Sequence, residues 1–191
     1  MSNIAIFASG SGSNAQAIVE YFKEKELHKV KLILSNKPNA FVIERAKMLN
    51  VPAIIFDKIR FYQTSEIEQI LEQEKIDLIV LAGFLWLVPA NILRTYNKRI
   101  INIHPALLPK YGGQGMYGMR VHQAVIDNHE TETGITIHYV NEIYDKGEII
   151  FQAKCKVDPS DTAEKIAEKV HALEYEHFPK VIEEILHSKE K

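Results

Sequence analysis

Apolar and polar positions divide the chain into two regimes. In the first half, short and nearly continuous apolar runs alternate with stretches of helical spacing. "NIAIFAS" (3–9), "VKLILS" (30–35), "AIIF" (53–56) and "IDLIVLAG" (76–83) read as strands covered on both faces. Between them, Ala15, Ile18, Val19 and Phe22 predict one helix, and Val42, Ala46 and Leu49 a second that Val51-Pro52 ends. Ile67, Ile70 and Leu71 mark a third. This βαβαβαβ order predicts a parallel sheet with helices on both faces.

The second half alternates instead. In "GITIHYV" (134–140), Ile135, Ile137 and Tyr139 interleave with Thr136 and His138; in "FQAKCKV" (151–157), Phe151, Ala153, Cys155 and Val157 interleave with Gln152, Lys154 and Lys156. That predicts a half-exposed antiparallel pair, joined by the turn "NEIYDKGE" (141–148). A long last helix is expected from near Asp161, with Glu164 completing a capping box and a kink at Pro179. The fold class is therefore α/β: a mostly parallel twisted sheet with helices on both faces, antiparallel strands in the C-terminal part, and a long C-terminal helix. With no repeat, linker or low-complexity tract, residues 1–191 are expected to form one domain.

Composition narrows the function classes. A net charge of −2 gives no basic excess, so nucleic acid is not an expected partner. Cys155 is the sole cysteine, which fits a reducing compartment. No apolar stretch reaches the ~18 residues that span a bilayer, and no leader precedes the first strand, so a soluble cytoplasmic protein is expected.

Two stretches carry candidate chemistry. "SGSGSN" (9–14) joins the first strand to the first helix, where open α/β sheets bind ligands. Gly10, Gly12 and Ala15 match a dinucleotide fingerprint loosely, but the second strand ends in Ser35-Asn36 rather than the acid that would hold a ribose. What remains is backbone N–H groups and small hydroxyls at a helix N-terminus, suited to a phosphate. The same glycines would also serve a plain tight turn with Ser13 or Asn14 as the cap.

"RIINIHPALLPKY" (99–111) is the second stretch. Asn102 and His104 interrupt an isoleucine strand and, two apart, share one of its faces. An imidazole can exchange a proton near neutral pH, and an amide N–H can steady a developing oxyanion. Asp145, in the later turn, is the acid best placed by type to orient the ring. Without such partners, N-x-H would merely tie down the following loop. His122, His129 and His138 have no metal-ligand spacing, and one cysteine builds no thiolate site, so no metal is expected. His28, His177 and His187 read as surface residues.

Taken together, "SGSGSN", "SNKPNAFVIERA" (35–46), "VLAGFLWLVP" (80–89), "INIHPALLPKY" (101–111) and "DKGEIIFQAKCKV" (145–157) resemble the phosphoribosylglycinamide formyltransferases, folate-dependent formyltransferases of purine biosynthesis with a Rossmann-like fold. The resemblance implies transfer of a formyl group from 10-formyltetrahydrofolate, as co-substrate, to the amine of glycinamide ribonucleotide. His104 would be the general acid/base, Asn102 the oxyanion donor and Asp145 the partner of the imidazolium. Gly12, Ser13 and Asn14 would hold the phosphate and Glu174 the ribose. The folate would lie along Leu85, Trp86, Leu87 and Val88 and beside Asn102, with Arg60 near its polar end. Trp86 stands where relatives carry a basic residue, so backbone atoms are expected to recognise the pterin there. The glycine-rich "YGGQGMYGMRVH" (111–122) reads equally as a mobile lid or a surface loop. Small molecules are the implied partners, without membrane or nucleic acid, for a monomer or weak homodimer. The alternatives are formyltetrahydrofolate hydrolase or another formyltransferase, and a non-catalytic nucleotide-binding module.

Overall fold

The computed structural model describes residues 1–26 and 28–188. Its elements run β1 (Asn3–Phe7), α1 (Ser13–Lys25), β2 (Lys29–Ser35), α2 (Phe41–Met48), β3 (Ala53–Ile55), α3 (Lys58–Tyr62), α4 (Glu66–Gln73), β4 (Leu78–Leu81), α5 (Ala90–Thr95), β5 (Ile100–His104), α6 (Met119–Asp127), β6 (Glu132–Tyr139), β7 (Ile149–Lys156) and α7 (Ala163–Ser188). The strands form one seven-stranded sheet in the order β3-β2-β1-β4-β5-β6-β7. β1 to β5 pair in parallel, and β6 and β7 add antiparallel at one side.

Alternation along the central strands feeds two cores. Ile4 and Ile6 of β1 face α1, α2 and α7 together with Phe22, Val42, Val170 and Phe178. Ala5 and Phe7 face the opposite layer with Phe61, Ile67, Leu71 and Ile92 from α3, α4 and α5. Both faces of the inner parallel strands are thus covered, which is why those strands are mainly apolar, whereas the edge strand β3, expected to be covered on both faces, exposes Ala53 and Ile55. Every parallel strand ends at the same sheet edge, so the loops after β1, β4 and β5 converge there.

Several expectations are corrected. The helix marked by Ile67, Ile70 and Leu71 is α4, and an unexpected short helix, α3, precedes it, capped by Asp57, whose carboxylate accepts from Arg60 N at 2.9 Å. α1 is capped by Gly12 in the left-handed conformation, not by a side chain of Ser13 or Asn14. At the start of α7 the cap is Thr162, whose Oγ1 accepts from Lys165 N at 3.3 Å; Asp161 instead takes the N–H of Asp158 and pairs with Lys169. As the apolar stripe predicts, α7 runs on past Pro179, which is buried. His28 is not a surface residue: it is 4% exposed and its Nδ1 accepts from Ser2 N.

The largest correction concerns β6. It is buried on both faces, because Thr136 points toward the loop that follows β5 and His138 toward Asn102 and the turn that carries Asp145, rather than to water. Thr136 Oγ1 donates to Ala106 O at 2.7 Å and accepts from Leu108 N at 3.0 Å and Gln152 Nε2 at 2.8 Å. Only the edge strand β7 keeps a half-exposed pattern.

Candidate active site

A cleft of about 680 Å3 opens at the C-terminal ends of the parallel strands. Its volume lies in the range of small-molecule sites. At its floor, β5 presents Asn102 and His104, as the two-residue spacing requires. β6 pairs antiparallel with β5 so that His138 lies opposite Asn102, and the turn after β6 returns Asp145 over both.

Asp145 is the hub. Its Oδ2 lies 3.6 Å from His104 Nδ1 and accepts the Gly113 N–H at 2.8 Å; its Oδ1 lies 3.6 Å from His138 Nε2 and 3.5 Å from Asn102 Nδ2. Asp145 sits at φ +54, a conformation rare for a residue with a side chain, so these contacts hold a strained backbone in place. Burial pushes its carboxyl pKa up, but His138, the His104 charge and the Gly113 N–H together leave it below the usual carboxylate range. The acid is therefore ionised at neutral pH.

The two imidazoles have defined tautomers. His138 Nδ1 faces Tyr139 O at 2.8 Å, and a carbonyl only accepts, so Nδ1 carries the hydrogen. Its Nε2 is then free to accept from Asn102 Nδ2 at 3.1 Å. His104 Nε2 lies 2.7 Å from Tyr111 O and is the protonated nitrogen of the neutral ring, which leaves Nδ1 as the base beside Asp145. Burial lowers the pKa of His104, against the raising effects of Asp145 and the Tyr111 carbonyl. A neutral base next to an ionised acid is the charge state needed to accept a proton and stabilise the cation that results.

The glycine loop forms one end of the cleft. Gly12 has φ +75, and a Cβ there would stand 2.4 Å from Val42 Cγ2, so a residue without a side chain is needed for loop and α2 to meet. Asn14 Nδ2 donates to Glu174 Oε2 at 2.9 Å, tying the loop to α7. Glu174 is 6% exposed, and burial raises its pKa. The Oδ1 atom of Asn14 has no hydrogen-bond partner among the described residues.

The other end is largely apolar. Ser9 Oγ donates to Asn36 Oδ1 at 2.7 Å and accepts from Leu85 N at 3.1 Å, which fixes the loop after β4 against the ends of β1 and β2. Leu85, Trp86, Leu87 and Val88 line the cleft from this loop. Tyr62 and Tyr144 donate their hydroxyls to the carbonyls of Leu87 and Leu85 at 2.9 and 3.3 Å. The Trp86 ring rests on Phe56, Phe61 and Tyr62, at centroid distances of 6.0, 6.0 and 5.9 Å.

The structure thus brings together Asn102, His104, Asp145, Gly12, Ser13, Asn14, Glu174 and Leu85 to Val88 around one cleft. Arg60 is not among them: its guanidinium is engaged by Glu66 at 2.7 and 2.8 Å and by the carbonyl of Ile55. His138, His122 and His171 also line the cleft, as do Lys37, Arg120 and the 113–118 segment. The sequence assigns no role to these histidines, Lys37 or Arg120, and reads the 113–118 segment only as part of a lid or a surface loop. For His138 a signal existed: it is a polar residue on the same alternating face as Thr136, and that face is the wall of the site.

Residues 2–182 match the model of the Formyl transferase family. A phosphoribosylglycinamide formyltransferase of Bacillus subtilis is 39% identical over 191 residues, covering 97% of this chain and 95% of that protein. The chloroplastic phosphoribosylglycinamide formyltransferase of Arabidopsis thaliana is 37% identical over 94% of this chain, which spans only 63% of that longer protein. The crystal structure of phosphoribosylglycinamide formyltransferase from Bacillus halodurans superposes with a TM-score of 0.86 at 37% identity, covering 96% of this chain and 95% of that one. With the family's match running from the first strand into the last helix, and through every segment that builds the cleft, the chain belongs to the formyl transferase family.

Proposed function

We propose that this protein transfers the formyl group of 10-formyltetrahydrofolate to the amine of glycinamide ribonucleotide. It would act as a single-domain cytoplasmic enzyme on small-molecule substrates, as a monomer or weak homodimer. One observation carries the reading: a neutral imidazole, an ionised carboxylate and an amide converge between an anion-suited loop and an apolar wall. The naming of the relatives supports the choice of substrates.

The phosphate binds at the backbone N–H groups of Gly12, Ser13 and Asn14, and Glu174 takes a ribose hydroxyl. The pterin lies along Leu85 to Val88, recognised through backbone groups, while the Trp86 ring stays on its aromatic bed. Arg60 would reach the polar end of the folate only by leaving Glu66.

The substrate amine attacks the formyl carbon, forming a C–N bond and a tetrahedral centre. His104 Nδ1 takes a proton from the amine, and Asp145 stabilises the imidazolium. The oxyanion takes the Asn102 N–H that otherwise points to Asp145 at the limit of hydrogen bonding. The C–N bond to the folate then breaks, and the leaving nitrogen receives a proton from the imidazolium, which returns His104 to its starting form. No atom or charge is left over.

The experiment follows deformylated folate by absorbance, with and without glycinamide ribonucleotide. Turnover that requires the ribonucleotide and yields formylated product is expected. Turnover without it identifies a hydrolase, and binding without turnover a non-catalytic module; either result rejects the proposal.

A further inference from the structure

His104 is held from both sides, and only one of the two holders is a side chain. The other is the carbonyl of Tyr111, which fixes the hydrogen on Nε2 and so leaves Nδ1 basic. That carbonyl needs an anchor of its own. Tyr111 has φ +56, a left-handed conformation that is strained for a residue with a side chain unless its surroundings impose it. The chain beyond it is held at Gly113, whose N–H donates to Asp145 Oδ2 at 2.8 Å, so Tyr111 itself must be fixed from its own side chain.

The anchor lies across the loop. Tyr111 Oη donates to Glu130 Oε1 at 2.8 Å, and Lys110 Nζ binds both oxygens of the same carboxylate at 2.8 and 3.1 Å. Glu130 stands between α6 and β6 and does not line the cleft. Burial first, and Glu130 second, push the Tyr111 hydroxyl up to about 12, so it remains a donor at any working pH. Main-chain bonds fasten Glu130 as well: its N–H donates to Val125 O at 3.1 Å, at the end of α6.

We propose that Glu130, acting through the Tyr111 hydroxyl, is a positioning residue for His104: the latch holds the Tyr111 carbonyl where it selects the Nε2-protonated tautomer. The inference rests on the reading of His104 as the base given above. The charged and titratable groups around the ring are Asp145, His138 and His122, with Lys110 and Glu130 at the latch. Asp145, an acceptor 3.6 Å from Nδ1, favours the opposite tautomer, so the closer Tyr111 carbonyl, held by the latch, decides which nitrogen keeps its lone pair. Without the latch the ring exchanges between tautomers, and the form with Nδ1 protonated carries its lone pair on Nε2 instead.

Two readouts separate this role from a general contribution to folding. In the unliganded protein, well above the ring's titration, long-range 1H–15N correlation spectra should show His104 as the Nε2-protonated tautomer. In Glu130→Ala and in the milder Tyr111→Phe, a mixture of the two tautomers is expected. Glu130→Gln keeps an acceptor for the hydroxyl and should restore the native pattern. In turnover, kcat should fall about tenfold in the first two variants, with both KM values within about twofold of the native protein's. Because the Tyr111 carbonyl raises the pKa of His104, its loosening moves the acid limb of the kcat profile to lower pH. An unchanged tautomer in both Glu130→Ala and Tyr111→Phe overturns the proposal, as does equal damage from Glu130→Gln and Glu130→Ala. If the protein shows no formyl transfer at all, the functional reading fails while the ring spectra still decide the latch.

Discussion

Asp145 makes four contacts with its two oxygens, and among the described residues no other side chain in the cleft is shared among so many functional groups. Replacing it tests charge and geometry separately. Asp145→Asn keeps the size and one acceptor, but removes the charge that stabilises a protonated His104. Turnover should fall by about 10²-fold or more, while a circular dichroism spectrum stays native. His104→Ala, which removes the base itself, should fall at least as far. A rate within a few-fold of the native protein's in either variant would remove the pair from the mechanism. The Asn variant also presents an amide N–H where Asn102 and Gly113 already donate, so a small loss of stability should accompany the loss of rate.

The β6–β7 turn decides whether Asp145 arrives at all. Gly147 lies in this turn, and a Cβ there would stand 1.6 Å from Tyr139 O and 3.3 Å from His138 Nδ1. Gly147→Ala must therefore open the turn, moving Asp145 and the His138 ring together. Unfolding in urea should show a loss of about 2 kcal/mol or more, and turnover should drop even where the protein is fully folded. A variant with native stability and rate would show that the turn yields without displacing the acid. The difference between β5 and β6 explains what the sequence discloses and what it hides. Asn102 and His104 could be read as a pair because strand alternation is local: two residues apart means one face, whatever the sheet does. Thr136 and His138 obey the same rule, yet alternation alone reads their face as a wet one. Polar alternation does not distinguish water from the polar wall of a site, and only the loops folded over β6 make that distinction. The Tyr111 carbonyl was hidden for a further reason: a backbone atom has no residue type, so no pattern of side chains could point to it. Arg60 shows another limit: a cation's ion-pair partner is set by the local turn, and Glu66, six residues on, holds the guanidinium in this structure.

At the scale of the whole molecule, the cleft is built at an energetic cost that pH exposes. His122, on the buried face of α6 between Val121 and Val125, is 2% exposed, and its Nδ1 has no partner among the described residues. Burial, together with the charges of His171 and His104, lowers its pKa from 6.5 to about 4. Burial also lowers that of His104. In the unfolded chain both rings titrate near ~6.5. Below that pH the unfolded state takes up protons that the folded state refuses, so stability falls as the pH falls, and it levels off only beneath the folded pKa. For His122 alone the window from 6.5 to about 4 is worth about 3 kcal/mol at its full extent. Glu174 acts in the opposite sense: its raised pKa means that the folded chain keeps a proton the unfolded chain releases, so its contribution declines as pH rises. Urea unfolding across this window should therefore show a slope set mainly by the histidines and blunted by Glu174. His122→Leu keeps the volume apolar and removes both the titration and the unpartnered nitrogen. Its stability near neutral pH should match or exceed that of the native protein, and the loss on acidification should shrink by most of the His122 share. If the variant loses as much stability as the native protein between the two ends of the window, acid sensitivity arises elsewhere, and the buried face of α6 is not where the molecule stores it.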